Sequence, residues 1–371
     1  MQPFRILHVF GGLDSGGAES RIMDIYREID RTKIQFDFLV HTNKKGFFED
    51  EINDMGGRIY RVPRFDITTI YSYFKAINNF FKKHSSYKVV HGHILSTAFI
   101  YQRYAKKYDI PVRIAHSRCG SRTEFNFKNA TKELFKRFSR FYVTHKFAVS
   151  KIAGDSAFGS NKVRSGAVEI LPNAIKTEKY KYDQEIRENK RQELKANGNF
   201  LIGHIGRFTK QKNHDLVIDV FHELNKQEPN TMLVLVGDGE LKSDILTKVN
   251  SLGLSKQVIF TGVRDDVHEL LQAIDLLLFP SFYEGLPGVV LEAQAAGLPC
   301  IVSNKITKEV KITDLVTYVS LEKNAIFWSE KIRETLRSYK RESKHSEIIE
   351  AGYDIKSVAK WYQNFYLSYR D

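Results

Sequence analysis

Short apolar runs recur along the chain, separated by stretches in which apolar residues fall at helical spacing. In the first half the strand-like runs are Arg5–Phe10, Phe36–Val40, Ile59–Val62, Val89–His91, Val112–His116 and Lys146–Val149. Helical periodicity covers Ser20–Ile29, Tyr71–His84 and Thr97–Tyr108. Alternation of this kind predicts βαβ units around a parallel sheet. The stretch Leu171–Tyr182 breaks the pattern with Pro172 and polar residues, which marks a domain junction. A second series then begins, with strands at Phe200–Ile205, Met232–Val236, Val258–Thr261, Leu276–Phe279 and Cys300–Ser303. Between them lie the helical segments Asp215–Asn225 and Pro287–Ala296, the latter closed by Gly297 as a left-handed cap. An aromatic-rich helix is expected at Ile355–Tyr369. The expectation is therefore α/β, with two Rossmann-like domains at 1–175 and 176–350 and a terminal segment at 351–371. Open sheets of this class bind ligands beyond the carboxyl ends of their strands, at the point where strand order reverses. Two such domains facing each other would form a cleft between them.

The chain of 371 residues is long enough for two cores. No apolar run reaches the roughly 20 residues of a membrane span. The start of the chain does not read as a signal peptide. Its two cysteines, Cys119 and Cys300, fall one in each half with no metal-ligand spacing, so a reducing cytoplasm is expected. The net charge of +13 is unevenly placed. Residues 1–175 hold 29 basic and 16 acidic side chains, whereas 176–371 hold 28 of each. The excess is densest from Arg103 to Arg164, including Lys132, Lys136, Arg137, Arg140 and Lys146. On a helix, Lys132, Lys136 and Arg140 would share one face. A basic, aromatic-bearing surface suits an anionic membrane or a phosphate-bearing partner. No nucleic-acid-binding signature accompanies it.

Two motifs in the second half carry chemistry. In FPSFYEGLPGVVLEAQAAG, Glu284 lies in a loop and Glu292 about one turn into the helix after it. Pro287 suits the helix start, so the amides near Gly288, Val289 and Val290 are free to meet a phosphate. Glu292 suits ribose hydroxyls and Glu284 the hydroxyls of a sugar. In GHIGRFTKQKNHDL, Arg207 and Lys212 directly follow a strand. Fixed cations there would stabilise the charge that develops on a departing nucleoside diphosphate. In the first half, the loop FGGLDSGGAE lets backbone amides approach a phosphate, with Gly16 and Gly17 as candidates. His116 ends one strand, and His91 and His93 end the one before it.

Together, GRFTKQK and EGLPGVVLE resemble family 4 of the retaining glycosyltransferases, a family of two facing Rossmann-like domains called GT-B. The Glu284-x7-Glu292 spacing matches the E-x7-E signature of that family, and Arg207 and Lys212 match its basic pair. Weaker matches run from Gly11–Gly17 through FAVSKIAGDSAFG, LPNAI and LVLVGDGEL to IFTGVRDDV, which contains Val263. The likeness is strongest to the capsular and exopolysaccharide branch. One departure is that Glu284 is followed by Gly285-Leu286-Pro287-Gly288, where many members read E-x-F/Y-G-L.

The resemblance implies retaining transfer of a sugar from a nucleotide-sugar donor, a UDP-sugar by branch, to an oligosaccharide or polyprenyl-diphosphate-linked acceptor. It implies that Arg207 and Lys212 contact the diphosphate and Glu284 orients the sugar. Glu292, Val263 and the amides of Gly288, Val289 and Val290 would serve the nucleotide. Gly16 and Gly17 would line the donor phosphates, and His116 would face the reacting sugar. It also implies that the C-terminal helix returns to the first domain; the cysteine usage and the basic first half lead to the expectation of a cytoplasmic protein, peripheral on the inner face of the membrane. No Asp-x-Asp triplet occurs. No metal and no other cofactor is therefore expected, with cations and helix amides neutralising the diphosphate. The rival readings are a nucleotide-sugar 2-epimerase of the same fold, a non-catalytic scaffold and, on charge alone, a nucleic-acid binder.

Overall fold

The computed structural model describes residues 2–14, 16–66, 69–118, 138, 141–338 and 341–370. Cys119, Lys132, Lys136, Arg137 and Arg140, singled out above, lie outside these residues. The chain divides into two compact units, Met1–Ala174 with Ile355–Asp371, and Ile175–Asp354.

Unit 1 is built on a seven-stranded sheet. Its strands are β1 (Phe4–Phe10), β2 (Ile34–Val40), β3 (Ile59–Arg61), β4 (Val89–Gly92), β5 (Val112–Ser117), β6 (His145–Ala148) and β7 (Glu169–Ile170). They pair in the order β3-β2-β1-β4-β5-β6-β7, every pairing parallel. Successive residues of a strand point to opposite faces. Along β1, Ile6 and Phe10 therefore join one core, while Leu7 and Val9 join the other. The first core is completed by Tyr26 of the helix Gly17–Glu28 and by Tyr362 and Tyr366 of the helix Ile355–Leu367. The C-terminal helix thus packs on the first sheet, as the GT-B resemblance implied. The second core takes Tyr73, Ile77 and Phe81 from the helix Ile70–Lys83, and Tyr101 from the helix Ala98–Lys107.

Unit 2 carries a six-stranded parallel sheet of β8 (Phe200–Ile205), β9 (Thr231–Val236), β10 (Val258–Gly262), β11 (Leu276–Phe279), β12 (Cys300–Ser303) and β13 (Val316–Val319). The order is β10-β9-β8-β11-β12-β13. Its core gathers Ile202, Leu233, Leu278 and Ile301 from the sheet, with Val217 and Phe221 from the helix His214–Gln227 and Trp328 from the helix Ala325–Ser338.

The unit boundaries fall at 174/175 and 354/355, where the sequence expectation set 175/176 and 350/351. Local pairing explains the shift. Ile175 bridges Asp354, its amide donates to the Tyr353 carbonyl at 2.9 Å, and Thr177 Oγ1 donates to Asp354 Oδ1 at 3.1 Å. Unit 2 therefore begins and ends on adjoining residues. The short helix His345–Glu350 also belongs to it.

Candidate functional site

Each sheet reverses its strand order once, between β1 and β4 in unit 1 and between β8 and β11 in unit 2. Ligands of open α/β sheets collect beyond the strand ends at such a point. The motif residues lie there.

In unit 2 the loops after β8 and β11 are clamped together. After Ile205 come Gly206, Arg207 and Phe208, then a turn of 3-10 helix at Lys210–Lys212, then Asn213 at φ 57°. Asn213 Nδ2 donates to the Pro280 carbonyl (3.2 Å), and Gln211 Nε2 to that of Tyr283 (2.8 Å). The Phe282 amide donates to Gln211 O (2.9 Å). These bonds bring Lys212 and Glu284, 72 positions apart, into an ion pair with Nζ 2.6 Å from Oε1. Lys212 Nζ also sits 4.6 Å from the centre of the Phe279 ring. The two side chains are 18% and 12% exposed. At that burial, separating the partners costs more than for a surface pair. Arg207, by contrast, is exposed, and its guanidinium makes no hydrogen bond or ion pair among the described residues.

The loop bearing Arg207 rests on the turn after β9. The amide of Phe208 donates to Asp238 O at 3.0 Å, and that of Leu241 to Phe208 O at 3.1 Å. Gly237 has φ +137°, and a Cβ there would collide with the Gly206 carbonyl. A Cβ on Gly239 would strike the backbone of Phe208. Only glycines let the two backbones meet so closely. Below the loop, His204 Nδ1 bonds to Leu278 O at 2.8 Å and ties β8 to β11. Burial holds the His204 imidazole well below its usual pKa, aided by His214. Burial and the Lys212 charge bring His214 down to about 4.

The helix Gly288–Ala295 starts beside Glu284, with Pro287 as a cap that offers no side-chain hydrogen bond. The Val290 amide donates to Pro287 O at 3.2 Å. The first amides of the helix, Gly288 and Val289, have no intrahelical acceptor and remain the candidate anion donors. Glu292 is buried, one turn into the helix. Val263 stands apart: it is 65% exposed, just past β10, and β9 intervenes between β10 and β8.

In unit 1, Gly16 caps the helix Gly17–Glu28, and a Cβ on Gly17 would enter open space. His116 is the penultimate residue of β5 and is buried. It belongs to a group that sequence reasoning identified only in part. His8 (β1), His91 (β4), His93 and His116 (β5) lie on one face of three neighbouring strands, and His8 is the register partner of His91. His8 and Arg118 were missed. The available signal was the even spacing along each strand, which places positions 6, 8 and 10, positions 89, 91 and 93, and positions 112, 114 and 116 on one face. Burial, reinforced by Arg118 and neighbouring imidazoles, holds all four rings well below the usual histidine pKa. A nitrogen from each of His8, His91 and His93 falls within 4.8 Å of the others, a grouping of the kind that can hold a metal ion.

Residues 185–354 match the family described as glycosyl transferases group 1. A relative from Bacillus subtilis (strain 168), named "Putative glycosyltransferase EpsF", is 35% identical over 359 residues, covering 95% of this chain and 93% of its own. The capsular polysaccharide biosynthesis glycosyltransferase CapH of Staphylococcus aureus is 27% identical, over 98% of this chain and 99% of its own. The Escherichia coli UDP-Gal:alpha-D-GlcNAc-diphosphoundecaprenol alpha-1,3-galactosyltransferase is 27% identical, over 73% of this chain and 72% of its own. Among solved structures, Anabaena HepE in complex with UDP and glucose superposes with a TM-score of 0.81 at 16% identity, covering 98% of this chain and 100% of that one, a likeness of fold. With the doubled parallel-sheet architecture and the extent of the match to EpsF, the chain belongs to the group 1 glycosyltransferases, with the GT-B type of fold.

Proposed function

We propose that this glycosyltransferase moves a sugar from a UDP-sugar, with retention of configuration, to a lipid-diphosphate-linked oligosaccharide in surface polysaccharide assembly. The observation that carries the reading is the half-buried Lys212–Glu284 pair at the β8/β11 reversal, with the exposed Arg207 guanidinium, unpaired among the described residues, on the same loop. A closed pair on the same loop as an exposed cation suits the arrival of an anion. When a diphosphate arrives, Lys212 exchanges the carboxylate for a phosphate oxygen, and Arg207 supplies a forked contact. Glu284 is then released to accept hydrogen bonds from sugar hydroxyls. The amides of Gly288 and Val289 add donors, and Glu292 serves the ribose. As the glycosidic bond breaks, negative charge grows on the leaving phosphate, and the fixed cations stabilise it where it forms. The phosphate oxygen takes the proton of the incoming hydroxyl on the same face, so neither carboxylate need act as nucleophile or base.

The galactosyltransferase relative is named for a UDP-sugar donor and a diphosphoundecaprenol-linked acceptor, and CapH for capsular polysaccharide, which supports the substrate classes proposed. Exposed Phe138 and Phe141, with Lys106 5.7 Å from the Tyr142 ring, support docking of unit 1 on an anionic membrane from the cytoplasmic side. Among the described residues no helix is long and apolar enough to cross a membrane.

The test is transfer from a panel of nucleotide sugars to a lipid-diphosphate oligosaccharide, with EDTA present throughout. Product should form from one UDP-sugar. Transfer that requires added Mg²⁺ or Mn²⁺ would refute metal independence, and donor conversion without acceptor would favour an epimerase. Binding to anionic vesicles should weaken as salt rises. Equal partitioning onto neutral vesicles would remove the membrane proposal.

A further inference from the structure

Four histidines of unit 1, His8, His91, His93 and His116, form two hydrogen-bonded chains whose directions can be assigned. A neutral imidazole carries one N–H and one lone pair, so fixing either nitrogen fixes the other. The first chain begins at a cation. Arg118 Nε donates to His93 Nδ1 at 3.3 Å. A guanidinium cannot accept, so Nδ1 holds the lone pair of His93 and Nε2 its proton. His93 Nε2 lies 3.0 Å from His8 Nδ1, which therefore accepts, and the His8 proton sits on Nε2.

The second chain begins at a phenol. Tyr366, fully buried on the C-terminal helix, has its hydroxyl 2.7 Å from His91 Nδ1 and no other hydrogen-bond partner among the described residues. Its proton has one acceptor within reach, so Tyr366 donates and His91 carries its proton on Nε2. His91 Nε2 is 3.1 Å from His116 Nδ1, which accepts. His116 is left with a proton on Nε2, a buried atom with no partner among the described residues, as is His8 Nε2 at the end of the first chain. In the reverse direction the phenol proton would lack an acceptor and the His116 Nε2 lone pair a donor, two unmet groups against one, which favours the direction from Tyr366 to His116. Buried donors in native proteins are almost always matched, and His116 lies near the carboxyl end of β5, where open sheets of this class collect ligands, so its N–H is the candidate ligand donor.

We propose that Tyr366 is a positioning residue: through His91 it holds His116 as the Nε2–H tautomer, so that His116 offers a hydrogen bond to an oxygen of the sugar and does not act as a base. The contact with sugar rests on the function proposed above; the tautomer does not. The same assignment bears on the three-histidine group. The lone pair of His93 is engaged by Arg118, that of His8 by His93 and that of His91 by Tyr366. No lone pair in the group remains for a metal ion.

The experiment is nitrogen-15 NMR of histidine-labelled full-length protein near pH 7.5, with His116→Gln assigning the ring. Wild type should show His116 protonated at Nε2 and bare at Nδ1. Tyr366→Phe should shift His116 toward the other tautomer and lower kcat/KM about tenfold, the scale of one lost hydrogen bond. A wild-type His116 protonated at Nδ1 would overturn the proposal, and that measurement stands even if the variant does not fold. So would a tautomer unmoved in folded Tyr366→Phe, or uptake of one equivalent of Zn²⁺ that His8→Asn abolishes. The expected tautomer with full transfer activity in His116→Ala would leave the relay intact and overturn the contact with sugar. Loss of transfer in every assay, with the expected tautomer, would instead fault the donor and acceptor proposed.

Discussion

The two sheets reverse their strand order in the same way, yet their reversal points are dressed oppositely. At β8/β11 the side chains are charged and partly open to solvent: Lys212, Glu284 and Arg207. At β1/β4 they are mainly uncharged imidazoles: His8 and His91, buried against Tyr366 of the C-terminal helix, and the half-buried His93 beside the Arg118 guanidinium, with His116 one strand further along. The fold supplies a ligand-binding position twice. Chemistry differs because unit 2 presents a cation and a carboxylate on loops, whereas unit 1 presents uncharged donors on the strands themselves. A charged loop suits a diphosphate. An uncharged buried donor suits a neutral polyol, for which a full charge would be costly to desolvate.

The largest expected effect is on acid stability. Among the described residues, unit 1 holds the buried His8, His41, His91 and His116 and the half-buried His93 with lowered pKa, against the buried His204 and His214 in unit 2. These rings stay neutral in the fold, while the unfolded chain takes up protons below about pH 6.5. Stability therefore falls as pH drops through 6.5, and no contribution is felt above it. For His41 and His214, burial sets the folded pKa at about 4, so their loss grows from pH 6.5 down to about 4 and then levels off. Each ring removes up to about 1.4 kcal/mol per pH unit in that window. Hydrogen exchange at pH 7.5 and 5.5 should show unit 1 opening first. Equal protection in both units would break the comparison.

Next in size is the loss of the charged pair. Lys212→Ala should lower kcat by at least about a hundredfold, the scale for a lost transition-state donor. Activity within threefold of wild type would mean that the ion pair is architectural. Arg207→Ala should cost roughly tenfold in kcat/KM, one charge-assisted contact. Because the Arg207 side chain is exposed and has no partner among the described residues, stability should hardly move, within about 0.5 kcal/mol. A large drop in Tm would place the residue in the scaffold instead. Smallest of all, Val263→Ala should leave stability within about 0.5 kcal/mol. Calorimetric titration with UDP would reveal whether a side chain beyond β9 reaches the nucleotide; an unchanged Kd would remove Val263 from the site.

Much of this was legible in the sequence where one residue type admits one environment. Apolar β-strands bounded by glycine and polar loops read directly as a parallel sheet. Gln184–Glu193 did not: it is a helix with no buried residue and no apolar stripe. It holds through an Asp183 cap on the Ile186 amide (3.0 Å) and through ion pairs from Arg191 to Asp275 and from Lys190 to Asp266. Those partners lie about 80 positions away, beyond the reach of local patterning. The helix Ala325–Ser338 was missed for a related reason, since its identity depends on burying Trp328 against the second sheet. The same limit explains the histidines. His116, His91 and His93 stood out one by one, but their joining to His8, Arg118 and Tyr366 depends on strand register and on a helix some 250 residues further along the chain.

By itself, the sequence determined the doubled α/β plan, the spacing of Glu284 and Glu292, and the cationic character of the loop after β8, because strand periodicity, residue chemistry and interval are local properties. Tertiary structure decided which charges meet. Lys212 and Glu284 become partners only because β8 and β11 are neighbours across a reversal that no local pattern encodes. It also decided which histidine proton points where, because a tautomer is set by the groups that surround a ring in space.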